Sequence, residues 1–190
     1  MENNLEKLAW EWIASSPEIA QTESEYYCST RDVFQARIDR MVANLLKDKT
    51  ISEEDAYIAS AISGEIGNNS FDHNLGKWPD VAGIFFGYDL SEKLEIILAD
   101  RGQGILATLK KVKPELKNDS AALKTAFTER LSGRAPERRG NGLKFVKENI
   151  ESQKMHLTFI SGNAKAELND KMEIKGTEPA IKGCLAILKL

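Results

Sequence analysis

Two short apolar segments joined by a polar link constrain the fold of this chain most strongly. The segments cover residues 81–89 and 94–99, and residues 90–93 lie between them. Both are rich in the β-branched and aromatic side chains that strands favour, and a link of this length is typical of a β-hairpin. The chain is therefore expected to build a sheet that starts from this hairpin.

The flanking regions show mainly helical patterns, with further strands near the C-terminus. Apolar residues recur at the three- and four-residue spacing of amphipathic helices in about residues 5–13, 33–46, 52–74, 120–131 and 143–150. The third of these begins at Ser52 with a capping box that ends at Asp55. Additional strands are expected near the C-terminus, at residues 155–161, 171–174 and 184–190.

This order of elements predicts the fold class. Helices, a hairpin, more helices and a final set of strands indicate an α/β (α+β) two-layer sandwich with a mixed, mostly antiparallel sheet covered by helices on one face. A length of 190 residues fits one domain with an appendage. We expect residues 1–50 to form an N-terminal helical extension and residues 51–190 to form the main domain.

Composition excludes several functional classes. The chain has 26 basic and 29 acidic residues, so a net charge of −3 argues against a nucleic-acid binder. Cys28 and Cys184 lack zinc-site spacing, and the two histidines, His73 and His156, are too few for a multi-histidine metal centre. No signal peptide or membrane-length apolar run is visible. We expect a cytoplasmic protein that binds neither nucleic acid nor membrane.

The first motif with chemical potential lies on the third predicted helix. Glu65, Asn69 and Asp72 follow at i, i+4 and i+7, which places them on one stripe, and His73 borders that stripe. Their oxygens could hold a hard cation, for which Glu65 and Asn69 are the candidate ligands. Glu65 could also act as a general base. A solvated helix face is the alternative reading of the same stripe.

The second motif follows the second strand of the hairpin. Asp100 stands at the strand end, and Gly102 and Gly104 allow a close backbone approach just after it. Asp100 could accept a hydrogen bond from an exocyclic amine. The pattern lacks the third glycine of a dinucleotide-binding fingerprint, and the chain has no P-loop sequence. An ordinary glycine-containing turn is the alternative.

The third motif opens the helix predicted at 143–150. Gly140, Asn141, Gly142 and Leu143 would expose backbone amides at a helix N-terminus, where amides and the helix dipole favour phosphate. Three nearby arginines could add charge-assisted hydrogen bonds to phosphate oxygens, namely Arg134, Arg138 and Arg139. Glycines before a helix are also common without any ligand.

Taken together and in this order, the three motifs resemble the N, G1 and G2 boxes of the GHKL (Bergerat-fold) ATP-binding family. The resemblance covers roughly residues 50–190, so residues 51–190 would be the ATP-binding domain. It implies that Asn69 coordinates magnesium, that Asp100 recognises the adenine amino group, and that Glu65 is the catalytic base. It also implies that Gly140 and Gly142 hold phosphates and that residues 105–139 form a lid. Thr177, after Gly176, resembles the Gly-Thr pair near the end of the family's sheet.

The pattern of Glu65, Asn69 and His73 looks most like the anti-sigma-factor serine kinases of that family. Asp72 stands where many histidine kinases carry a basic residue, and residues 1–50 contain no histidine. We therefore expect neither an orthodox histidine kinase nor a complete topoisomerase or mismatch-repair ATPase. The expected function is a Mg-ATP-dependent, kinase-like signalling switch that acts on a partner protein. A non-catalytic nucleotide-gated interaction module and a slow ATPase coupled to homodimer formation stay open as alternatives.

Overall fold

A computed structural model describes residues 4–20, 22–130 and 142–190 of the chain. The helices among these residues are α1 (Asn4–Ala14), α2 (Arg31–Leu45), α3 (Glu53–Asn74), α4 (Gly104–Leu109), α5 (Asp119–Thr128) and α6 (Gly142–Gln153). The strands are β1 (Tyr27–Cys28), β2 (Ile84–Asp89), β3 (Glu95–Asp100), β4 (His156–Leu168) and β5 (Met172–Lys189). No helix in these ranges is long and apolar enough to cross a membrane.

The described strands form one sheet in the order β1-β2-β3-β5-β4, and every pairing between them is antiparallel. The predicted hairpin is present as β2 and β3, with Ile84 opposite Asp100. The predicted α+β class and its two-layer packing of helices on an antiparallel sheet are confirmed. The polar excursion near the C-terminus differs from expectation, because β4 and β5 continue through it as one long ribbon with irregular register after Ser161.

The main core lies between one face of the sheet and the helices α2, α3, α5 and α6. Alternate strand residues such as Phe86, Leu98 and Ala186 point into it, as the two-residue period of a strand requires. Ile62 and Ile66 of α3 meet them from the helix layer. Ser52 caps α3 as expected, since its hydroxyl accepts a hydrogen bond from the Asp55 amide at 3.0 Å. Helix α3 is therefore fixed against the sheet along its length.

Helix α1 covers part of the opposite face of the sheet. Its buried residues, Leu5, Ala9, Trp12 and Ile13, pack on the strand residues that alternate with those of the main core. Within the region predicted as an N-terminal extension, α1 thus belongs to a second core, β1 extends the sheet, and α2 packs on α3.

Arg101 ties the end of α1 to the strand layer. Its guanidinium donates to the carbonyls of Trp12 at 2.6 Å and Ser15 at 2.8 Å, and it forms an ion pair with Asp80 at 2.7 Å. The last carbonyls of a helix lack partners within the helix and carry partial negative charge, so a buried cation satisfies them. This contact fixes α1 at the residue that follows Asp100.

Candidate functional site

A cleft of about 370 Å³, counting its open mouth, lies between α3, the end of β3, α4 and the start of α6. Ile66, Ile105, Leu143 and Phe159 form its apolar walls. Polar side chains converge on it from α3, and Asp100 lies at the end of β3. A concave, mostly apolar site with a few convergent polar groups is the usual form of a small-molecule pocket.

Asp100 is almost completely buried in this cleft, with 2% of its surface exposed. Its carboxylate accepts a hydrogen bond from the Ser70 hydroxyl at 2.7 Å and another from the Gly102 amide at 2.8 Å. Burial raises the pKa of Asp100 above its ordinary value, and these hydrogen bonds only partly oppose the effect. The sequence therefore places a costly carboxyl group at the inner end of an apolar cleft.

The loop after Asp100 is fastened to the C-terminal end of α3. The Gln103 amide donates to Asn74 Oδ1 at 2.9 Å, and the Gln103 side chain donates to the His73 carbonyl at 2.9 Å. Gly104 then begins α4 with a φ of 75°, a left-handed conformation that favours glycine. The second motif is thus a rigid turn that holds the Asp100 carboxylate in place.

Glu65 and Asn69 lie at the other end of the cleft, beside the first residue of α6. A Cβ atom on Gly142 would overlap Glu65 Oε1 and would come within 2.8 Å of Asn69 Nδ2. Only glycine permits this approach, so the N-terminus of α6 faces a carboxylate and an amide oxygen. The structure therefore brings residues of the first and third motifs together, and Leu143 joins them on the cleft wall.

Asp72 and His73 occupy different surroundings although they are adjacent. Asp72 forms an ion pair with Arg31 at the start of α2 and is absent from the cleft lining. His73 lines the cleft, and burial, with a smaller contribution from the charge on Lys111, lowers its pKa below the ordinary value. His73 is therefore neutral at pH 7. Of the pair, only His73 can contact a ligand in the cleft.

Thr177 does not line the cleft among the described residues. It lies on β5 in the irregular stretch between Gly176 and Ile181, where no β4 partner is assigned to it. The β5 residue that does reach the cleft is Cys184, directly opposite Asp100 in the β3–β5 register. The predicted phosphate-binding residues Arg134, Arg138, Arg139, Gly140 and Asn141 lie outside the described residues.

Several cleft residues went unrecognised in the sequence, notably Ser70, Asn74, Thr108 and Cys184. Ser70 and Asn74 could have been found, because they follow Ile66 at i+4 and i+8 on the face of α3 that meets the sheet. Cys184 required the register of β5, which the sequence alone does not define.

The described residues contain no group of three or more histidine, cysteine, aspartate or glutamate side chains placed to hold a metal ion. Glu65 and Asn69 would supply at most part of a cation's oxygen shell. A scan of the sequence against protein-family models finds no match, and a search of the curated proteins finds no similar protein.

Proposed function

We infer that this chain binds Mg-ATP in the cleft and acts as a kinase-like switch on a partner protein. The observation that carries the proposal is the buried Asp100 carboxylate at one end of an apolar cleft, with Glu65 and Asn69 beside the α6 N-terminus at the other. The two ends match the two ends of a nucleotide. The likeness of the three motifs to the GHKL boxes supports the same assignment.

The base end of the proposal rests on hydrogen bonding. A carboxylate accepts hydrogen bonds from an exocyclic amine, as adenine has, and repels the carbonyl oxygen that guanine carries at the corresponding position. Ile66, Ile105 and Phe159 would contact the faces and edges of the base. Ser70 and the Gly102 amide keep the carboxylate oriented before a ligand arrives, which reduces the ordering cost of binding.

The phosphate end fits a nucleotide-bound cation better than a resident metal ion. Glu65 and Asn69 offer two oxygen ligands, and magnesium commonly takes one or two protein ligands while phosphate oxygens and water fill the rest. When bound, magnesium would neutralise charge on the phosphates. The N-terminal amides of α6 would donate hydrogen bonds to phosphate oxygens.

Glu65 is the residue proposed to orient the nucleophile. It would accept the proton of a serine or threonine hydroxyl on the partner protein, while the phosphoryl group moves from ATP to that hydroxyl oxygen. Its position beside Gly142 puts it at the phosphate end rather than the base end of the cleft. A partner protein is required because the reaction needs an acceptor hydroxyl.

Glu65→Gln tests the catalytic part of the proposal. We expect the variant to bind ATP within about threefold of the parent, because the amide keeps one ligand oxygen, and to lose about 10²- to 10⁴-fold in phosphoryl transfer from γ-labelled ATP to candidate partner proteins or to water. Glu148→Gln on the exposed side of α6 is the matched control. Binding of ATP without any transfer or phosphate release in the parent would overturn the kinase assignment and favour a nucleotide-gated interaction module.

A further inference from the structure

A second and larger groove lies on the opposite face of the sheet from the cleft. It encloses about 940 Å³, counting its open mouth, between α1 and the segment that leads to β1. Its apolar lining comes from Leu8, Trp12, Ile19, Tyr26 and Phe85. Ile19 is 71% exposed although it is large and apolar. The groove has the size of an ordinary ligand pocket, and nothing in the proposed nucleotide site uses it.

Two buried polar atoms on residues that line this groove have no hydrogen-bond partner among the described residues. They are Trp12 Nε1 and Ser24 Oγ. A buried donor without a partner costs about 1–3 kcal/mol. An acceptor atom of a bound molecule would remove that cost, so both atoms point to a ligand that carries at least one such acceptor.

The indole of Trp12 is held firmly enough to serve as a fixed donor. Trp12 is 5% exposed, its ring lies 6.2 Å from the Phe85 ring, and the Arg101 guanidinium lies 5.8 Å from its centroid on another side. The Trp12 carbonyl is bound by the same guanidinium. A donor that is already ordered costs little further entropy when a ligand binds.

The charges around the groove favour a cation. Glu11 lines it directly, and its ion pair with Lys7, at 3.7 Å between two exposed side chains, is weak. Lys7 is the one basic residue in the stretch 4–26, which also holds the acidic residues Glu6, Glu11, Glu18, Glu23 and Glu25. Uncompensated carboxylates of this kind attract cations and raise their local concentration.

We propose that this groove binds a cationic amphiphile that carries an apolar group, a carbonyl oxygen and a protonated amine. The apolar group packs on Phe85 and Tyr26, the carbonyl accepts a hydrogen bond from Trp12 Nε1, and the amine faces Glu11. This chemistry is shared by a free amino-acid amide and by the N-terminal residue of a polypeptide. The site is independent of the proposed nucleotide function, since it lies on the other face of the sheet.

Phenylalaninamide is the probe for this proposal, and N-acetylphenylalaninate is its anionic counterpart. The full chain, labelled with ¹⁵N, would be titrated with each, and the Trp12 indole resonance, assigned with Trp12→Phe, would be followed. We expect a saturable shift with phenylalaninamide at a Kd of about 1 mM and binding at least about fivefold weaker for the anion. The Trp78 indole, on the other side of the sheet, serves as the internal reference.

Two variants separate the groove from general surface charge. Glu11→Gln should weaken phenylalaninamide about two- to fivefold, as expected for one exposed charge pair, whereas Glu148→Gln on α6 should leave it unchanged. Ile19→Lys places a cation on an exposed position of the groove and should also weaken binding without affecting the fold. Equal binding of the two probes, or no saturable Trp12 shift up to about 20 mM, would overturn the proposal.

A basic peptide amide with an N-terminal phenylalanine distinguishes the two sources of the ligand. Binding about tenfold tighter than phenylalaninamide, with the same dependence on Glu11, would identify a polypeptide N-terminus as the occupant. Equal affinity, again dependent on Glu11, would identify a free amine. Tighter binding that ignores Glu11→Gln and leaves the Trp12 indole unshifted would contradict the assignment of the groove.

Discussion

Asp100 shows how a single residue can serve a ligand at the expense of the fold. Its carboxyl group is buried, and burial raises its pKa in the folded chain. The folded chain therefore holds this proton more tightly than the unfolded chain, in which the pKa has its ordinary value of about 3.9. As pH rises from that ordinary value through the raised one, the group lowers the free energy of unfolding, and the loss persists at neutral pH.

Asp100→Asn should reverse this loss, because the amide has no charge to bury. Relative to the parent, we expect the variant to gain stability between about pH 4 and pH 7, as measured by thermal unfolding across that range. Asp170→Asn at an exposed position should show no such pH-dependent difference. A parent–variant difference that stays constant with pH would contradict the raised pKa of Asp100.

Gly142 sets the distance between two elements, α3 and α6. A methyl group at this position would overlap the Glu65 carboxylate and crowd Asn69. Gly142→Ala should displace the start of α6 and weaken Mg-ATP binding about tenfold or more, although alanine is the better helix former. The measurement is the Kd for Mg-ATP, with Gly176→Ala as the control, because a Cβ there would come no closer than 3.9 Å to its nearest neighbour. Unchanged affinity for both variants would separate α6 from the site.

Arg101 joins α1 to the strand layer through a buried ion pair and helix-end hydrogen bonds. Arg101→Met should lower the free energy of unfolding by about 3–5 kcal/mol, because it leaves the Asp80 carboxylate without its buried partner and the α1 carbonyls without their donor. Denaturant titration measures the loss, and the exposed Arg40→Met is the control.

Adding Asp80→Asn to Arg101→Met isolates the ion pair. The second change should restore part of the lost stability, since it removes the orphaned charge. If the double variant lost the sum of the two single effects, the pair would not be coupled, and the role given to Arg101 in fixing α1 would be wrong.

At the scale of the whole molecule, the sequence predicted the elements better than their partners. The β2–β3 hairpin and the capped start of α3 depend on local patterns, namely apolar runs with a short link and a serine-led capping box, and both were predicted. The short helix α4 was missed, because six residues after a glycine give too few turns for a periodic pattern.

What the sequence could not supply was the long-range pairing. The position of Cys184 opposite Asp100 depends on the register of β5, and the packing of α1 on the second face of the sheet depends on which strand residues point outward. The same limit explains Thr177, whose sequence neighbourhood resembles a site residue while the ribbon carries it outside the cleft lining. Asp72 shared a helical stripe with Glu65, yet it pairs with Arg31.

The central claim is that the cleft binds an adenine nucleotide through Asp100, and calorimetric titration with Mg-ATP and Mg-GTP tests it most directly. The account predicts saturable one-to-one binding of ATP, with GTP and the Asp100→Asn variant each weaker by about tenfold or more, as the loss of a hydrogen bond to a charged group implies. Asp170→Asn should bind ATP as the parent does. No binding of ATP, or equal affinity for ATP and GTP that Asp100→Asn leaves unchanged, would contradict it.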